Sequence, residues 1–182
     1  MKTKNVVLIG FMGCGKSTIG IKLSYRFRRV VEDTDKLIER RQKRSISDIF
    51  AMEGEAYFRD LETQTLKDLT TEKGSKIISV GGGTPVREEN RKLLKKLGTV
   101  VYLRVQPETV CERLKGDTTR PLLQGDNPQE KVRTLMESRK DAYESCADLI
   151  IDVDDKDVVQ IVDLIELYVN GEKNEDISDK WT

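Results

Sequence analysis

Apolar residues fall along the chain in two alternating rhythms. Short runs rich in β-branched side chains stand at 6–9, 30–31, 77–80, 100–103 and 149–151, and such runs read as strands buried on both faces. Between them apolar positions recur at helical spacing over 16–28, 35–42, 47–52, 55–71, 87–97, 107–114, 129–145 and 156–169. Strands alternating with helices predict an α/β fold of three layers, a five-stranded parallel sheet with helices on both faces. Residues 116–128 mix Gly, Asp, Thr, Pro and Asn around one short apolar patch, Pro121-Leu122-Leu123, and read as a mobile surface loop. Residues 171–182 are polar and have no periodic apolar face despite Trp181, so they read as a disordered tail. No internal repeat is visible, and 182 residues suit one domain, over 1–170.

One junction in this pattern carries chemistry. The apolar run Val6-Val7-Leu8-Ile9 is followed by Gly10-Phe-Met-Gly13-Cys14-Gly15-Lys16-Ser17-Thr18, which opens the helical pattern of Ile19, Leu23 and Phe27. Strand, glycine loop and helix in that order make a P-loop. Its glycines let backbone N–H groups close around phosphate oxygens, and the helix N-terminus adds partial positive charge. Gly13, Cys14, Gly15, Lys16, Ser17 and Thr18 are thus the expected nucleotide-binding residues. Lys16 would reach the β- and γ-phosphates, and the Ser17 hydroxyl would sit on Mg²⁺.

Composition narrows the partners. Acidic and basic residues cancel at 32 each, so no long-range field favours nucleic acid or an anionic membrane. No apolar run approaches the ~18 residues of a membrane span, and the first strand starts near Asn5 without room for a leader, so a cytoplasmic protein is expected. Cys14, Cys111 and Cys146 lack metal-like spacing and read as reduced, partly buried thiols. Cys14, at a helix N-terminus, is the one expected to be more reactive. The chain contains no histidine, so proton transfer falls to carboxylates, lysines or the substrate's own phosphate.

The second predicted strand leads into Asp33-Thr-Asp35, on the carboxyl edge where open α/β sheets bind ligands. An i, i+2 pair on extended backbone would aim both carboxylates one way, suiting one for Mg²⁺ and one for an acceptor hydroxyl. Equally, the pair could end the strand and cap the next helix.

With that pair in place the chain, over about residues 5–170, resembles the shikimate kinases. The matching pieces are Gly10–Thr18, Asp33-Thr-Asp35-Lys-Leu-Ile-Glu39, Ser45-Ile-Ser-Asp-Ile-Phe50, Gly54-Glu-Ala-Tyr-Phe-Arg59-Asp-Leu-Glu62, Val80-Gly-Gly-Gly83, Arg120-Pro-Leu-Leu123 and Arg139 followed by Tyr143. Arg44 stands where many members have Gly, and Glu32 directly precedes the aspartates. The resemblance implies a P-loop kinase fold with substrate-binding helices over about 34–62, a lid over 116–128, and a monomer. It further implies MgATP-dependent phosphorylation of the 3-hydroxyl of shikimate. Arg59 and Arg139 would clamp the substrate carboxylate, which suits arginine's fixed fork. Gly81, Gly82 and Gly83 would lie against shikimate, Asp35 would bind the hydroxyl and help take its proton, and Asp33 would support Mg²⁺. Arg120 would close over the phosphates from the lid, and Arg113 would stack on adenine. Glu62 could hold Arg59 as an i, i+3 partner. Asp152 is given a structural role.

Read without the resemblance, several of these stay open. Arg59 and Glu62 could be a solvated surface pair, the GGG segment a plain turn, and Phe50 and Phe58 core aromatics rather than walls of the acceptor pocket. The competing functions are another small P-loop kinase, for gluconate or a nucleoside monophosphate, and a non-catalytic regulator that senses shikimate and nucleotide. A guanine-reading Asn-Lys-x-Asp segment is absent from the sequence.

Overall fold

The computed structural model describes residues 5–115 and 127–171. One sheet is built from β1 (Asn5–Ile9), β2 (Val31–Asp33), β3 (Ile77–Ser79), β4 (Gly98–Arg104) and β5 (Leu149–Asp152). All pairings are parallel, in the order β2-β3-β1-β4-β5. Around it lie α1 (Lys16–Phe27), α2 (Thr34–Gln42), α3 (Ile46–Thr71), α4 (Glu88–Leu97), α5 (Pro107–Arg113), α6 (Pro128–Cys146) and α7 (Val158–Asn170).

The central strand shows why both faces are covered. Val6, Val7, Leu8 and Ile9 are fully buried, and successive side chains of a strand point opposite ways. Val6 and Leu8 enter a cluster with Leu23 of α1 and Ile165 of α7, whereas Val7 and Ile9 enter one with Leu66 of α3, Leu94 of α4 and Tyr143 of α6. Each such side chain contributes roughly 1.5–3 kcal/mol of burial, so the two faces anchor the helical layers jointly. No described helix is long and apolar enough to cross a membrane.

Most boundaries fall within about two residues of those expected, and the differences nearest the site have clear causes. β2 runs over Val31–Asp33 rather than 30–31, because its pairing with β3 continues to Asp33↔Ser79 while Val30 is exposed. Pro128, read as the end of a loop, is the first residue of α6, where its missing N–H costs nothing. The helices expected over 47–52 and 55–71 are both present within α3, separated at Gly54, whose φ of 82° and ψ of 172° are not helical. The loop beyond residue 115, Arg120 included, and the tail beyond Gly171 lie outside the described residues.

Strand order determines where a site can form. The chain leaves β1 for the β2–β3 side and later returns to the β4–β5 side, so the carboxyl end of β1 is the topological switch point. The P-loop departs from that end of β1, and Gly81–Gly83 follow the neighbouring strand β3.

Candidate active site

A cleft of ≈ 890 Å³ opens at this switch point, lined by the P-loop, by residues of α2 and α3, and by the GGG segment, whose Gly82 packs against the P-loop backbone. Gly13, Cys14, Gly15, Lys16, Ser17, Thr18, Asp33, Asp35, Arg59, Gly81, Gly82, Gly83, Arg113 and Arg139 all line it. Of the residues expected to act, only Arg120 is not placed.

At the P-loop end, Gly10, Gly13 and Gly15 have φ of 145°, 78° and 98°, conformations that cost a side-chain-bearing residue energy. A Cβ on Gly10 would sit 2.6 Å from the Leu103 carbonyl oxygen. The first turn of α1 has neither a side-chain cap nor an acidic residue, which leaves its positive end to the cleft. Lys16 Nζ donates to the carbonyl oxygens of Gly10 at 2.7 Å and Phe11 at 3.0 Å, so the loop's own backbone holds the ammonium group at its mouth. Arg113 donates to the Gly13 carbonyl at 2.8 Å, which ties the end of α5 to the loop. Cys14 is buried, at 1% exposure, and its Sγ accepts from Lys16 Nζ at 3.6 Å.

The aspartates reach the cleft by a different route from the one the extended spacing suggested. Asp33 ends β2 and caps α2, its Oδ1 accepting the Lys36 amide at 3.1 Å, so the backbone turns helical between the pair. Asp35 lies in the first turn of α2. Its Oδ1 and Glu62 Oε1 both approach Gly81, at 2.7 and 2.8 Å from where a Cβ would stand. Only glycine fits between two carboxylates packed so closely against the backbone.

Arg59 and Glu62 are not a solvated pair. Glu62 is 1% exposed and its Oε2 accepts from Arg59 Nη1 at 2.7 Å, while Thr84 donates its hydroxyl to Glu62 Oε1. Burial pulls the Arg59 guanidinium down, but the Glu62 and Glu55 carboxylates outweigh it and hold Arg59 above its ordinary range. Its tip also packs against Gly83.

Arg139 is placed otherwise. It is 5% exposed, lies over the Phe11 ring at 5.7 Å, and approaches Gly82. Among the described residues no carboxylate pairs with it. The neighbouring Tyr143 hydroxyl donates to the Gly82 carbonyl at 2.5 Å, and burial pushes that phenol well above its usual range. This contact fixes the GGG segment from the α6 side. Thr34 does so from α2, its hydroxyl accepting the Gly81 amide at 3.3 Å. Neither contact was foreseen in the sequence, where a Tyr four residues after Arg139 gave the only hint.

Phe50 and Phe58 satisfy both readings. Their rings stack 4.9 Å apart within the small core of Ile38 and Ile49, and both line the cleft. Asp152 is structural, bridging Arg104 through both oxygens at 2.5 and 2.8 Å, an interaction that holds its carboxyl below the usual carboxylate range.

A family model described as shikimate kinase matches residues 12–168. The chain belongs to the shikimate kinase family. Shikimate kinase of Bacillus mycoides is 44% identical over 167 residues, 92% of this chain and 99% of that protein. The enzyme of Thioalkalivibrio sulfidiphilus is 41% identical over 92% of this chain and 87% of its own length. Among solved structures, shikimate kinase from Acinetobacter baumannii in complex with shikimate gives a TM-score of 0.87 at 36% identity, covering 94% of this chain and 95% of that one. A gluconokinase from Sinorhizobium meliloti, at 15% identity and a TM-score of 0.59, shares the fold alone. Membership makes the chain a kinase that draws its phosphoryl group from ATP, and the P-loop kinase fold expected from its sequence is the one observed.

Proposed function

We propose that this shikimate kinase family member transfers the γ-phosphoryl group of MgATP to the 3-hydroxyl of shikimate, with Asp35 as base and with Arg139 and Arg59 as carboxylate clamps. The observation that supports it most directly is Arg139: a buried arginine without a carboxylate partner among the described residues, lining the cleft between Phe11 of the P-loop and Gly82 of the GGG segment. A buried guanidinium is costly unless paired, and a planar substrate carboxylate matches its fork.

Asp35 accepts the hydroxyl proton as the new O–P bond forms, and the bond from the γ-phosphorus to the bridging oxygen breaks, leaving ADP. Lys16 leaves its loop carbonyls for the β- and γ-phosphate oxygens. The amides of the P-loop and of the first turn of α1 orient the same groups, so the protein supplies position and fixed charge. Arg113, already anchored on Gly13, closes the nucleotide end beside adenine. A Ser17 hydroxyl and an Asp33 carboxylate in one cleft beside Lys16 are hard oxygen donors of the kind Mg²⁺ takes, with Asp33 keeping a second oxygen besides the one that caps α2. Bound there, the ion would neutralise phosphate charge. A monomeric cytoplasmic enzyme that acts on small molecules rather than nucleic acid accords with the balanced charge.

The test is a coupled ADP-release assay with MgATP and shikimate, quinate, gluconate or nucleoside monophosphates, run beside Lys16→Ala and Asp35→Asn. Turnover with shikimate alone is expected, abolished in the first variant and lowered about 10²-fold or more in the second. Turnover only with another acceptor would overturn the substrate, and wild-type turnover in Asp35→Asn would overturn the base.

A further inference from the structure

Behind the acceptor end of the cleft lies a set of buried polar side chains that line no part of it. Asn90 of α4 is fully buried, Thr84 is 1% exposed and Thr63 is 6% exposed. The Asn90 amide donates to the Thr84 carbonyl at 2.9 Å, and the Thr63 hydroxyl donates to Asn90 Oδ1 at 2.8 Å. Thr84 in turn donates its own hydroxyl to Glu62, which holds Arg59. Four buried side chains and the Thr84 carbonyl thus form one connected chain of hydrogen bonds from α4 to the guanidinium.

Such an arrangement is out of proportion to a turn that needs only to reverse the backbone. Thr84 opens the single 3₁₀ turn Thr84–Val86, which its own amide already closes on Gly81 at 3.1 Å. The side-chain bonds therefore add direction rather than the turn itself. Glu62 has one oxygen on Arg59 and the other on Thr84, so the carboxylate cannot rotate while both are made. A fixed carboxylate fixes the fork it binds.

We infer that Thr84, backed by Asn90 and Thr63, is a positioning residue for the acceptor: through Glu62 it sets the orientation of Arg59 and so the recognition of the substrate's carboxylate. This rests on the reading of Arg59 as a carboxylate clamp. Thr84 touches no substrate. Its effect should be confined to acceptors that carry a carboxylate, which a general loosening of the fold would not respect.

The test compares shikimate with its carboxamide, which keeps the hydroxyls and loses the charge, using wild type, Thr84→Val, Thr84→Ser and Arg59→Lys. Thr84→Val is expected to raise KM for shikimate about tenfold, with kcat and KM for ATP within twofold and kcat/KM for the carboxamide nearly unchanged. Thr84→Ser, which keeps the hydroxyl, should restore wild-type preference. If Thr84→Val does not fold, Thr63→Val, one hydrogen bond further out, should shift the same preference in the same direction by less. Equal losses on both acceptors, or an unchanged preference while Arg59→Lys lowers it, overturns the positioning role. An unchanged preference in Arg59→Lys itself overturns the clamp on which the inference rests.

Discussion

Nε and Nη2 of Arg59 both donate to one oxygen of Glu55, at 3.1 and 2.8 Å, four residues earlier on α3. Glu55 thus occupies the edge of the fork that an incoming carboxylate would use. Its side chain is 53% exposed, so the pair adds little to stability, and with Arg59 as the proposed clamp it would compete with the substrate carboxylate. Glu55→Gln should lower KM for shikimate two- to fivefold and change unfolding free energy by less than ~0.5 kcal/mol. Steady-state kinetics beside thermal melts check both, and an increase in KM would show that Glu55 assists the clamp.

The two arginines should separate stability from affinity. Replacing Arg59 by Met leaves Glu62 buried against Thr84 alone, and an uncompensated buried charge costs about 3–5 kcal/mol. Arg139→Met strands no carboxylate among the described residues, so its unfolding free energy should fall by no more than ~1 kcal/mol. Its KM for shikimate should nevertheless rise at least tenfold. Denaturant titration and kinetics on both variants decide the matter, and equal destabilisation would contradict the difference in their surroundings.

A methyl group at Gly83 would fall 2.3 Å from Arg59 Nη1, the movable end of a long side chain. Gly83→Ala should therefore fold normally and bind ATP normally while raising KM for shikimate several-fold. Gly81→Ala meets Asp35 and Glu62 at 2.7 and 2.8 Å and should lose kcat as well. Parallel kinetics on the two variants, with melting temperatures, test the contrast.

Alkaline stability has a defined source. Burial pushes the Cys146 thiol up to about 11 and the Tyr102 phenol up to about 12, both above their ordinary values of 9.0 and 10.0. Neutral forms are favoured in the fold, so their contribution is complete below the unfolded values and is lost as pH rises through the folded ones. Cys146→Ala removes the earlier of the two transitions. Between pH 8 and 10 its deficit against wild type should shrink by about 1 kcal/mol, measurable by urea titration at each pH.

Much of this site was legible because backbone requirements leave marks in sequence. A P-loop needs glycines at fixed intervals after a strand, and buried parallel strands need unbroken apolar runs. Buried polarity leaves no such mark. Thr63 and Asn90 look like solvent-facing residues of charged helices, and Glu62, legible as a partner of Arg59, gives no sign of its bond to Thr84, since burial of a polar side chain depends on partners distant in sequence: Thr84 is 22 residues from Glu62, and Asn90 is 27 from Thr63. The aspartate pair shows the converse. The binding and capping readings of Asp33 are compatible, because one oxygen suffices for the cap.

The position of β1 between β3 and β4 has a consequence for how the enzyme comes into being. The nucleotide loop and the acceptor loop are neighbours only because residues near 7 pair with residues near 78 on one side and near 100 on the other. Closing loops of that length precedes any reward from the contacts they allow, and parallel pairing of this kind is slow. The P-loop is a local segment, but Gly81–Gly83 and Arg139 reach it only through the sheet and α6, so recovered activity during refolding should report completion of the central sheet.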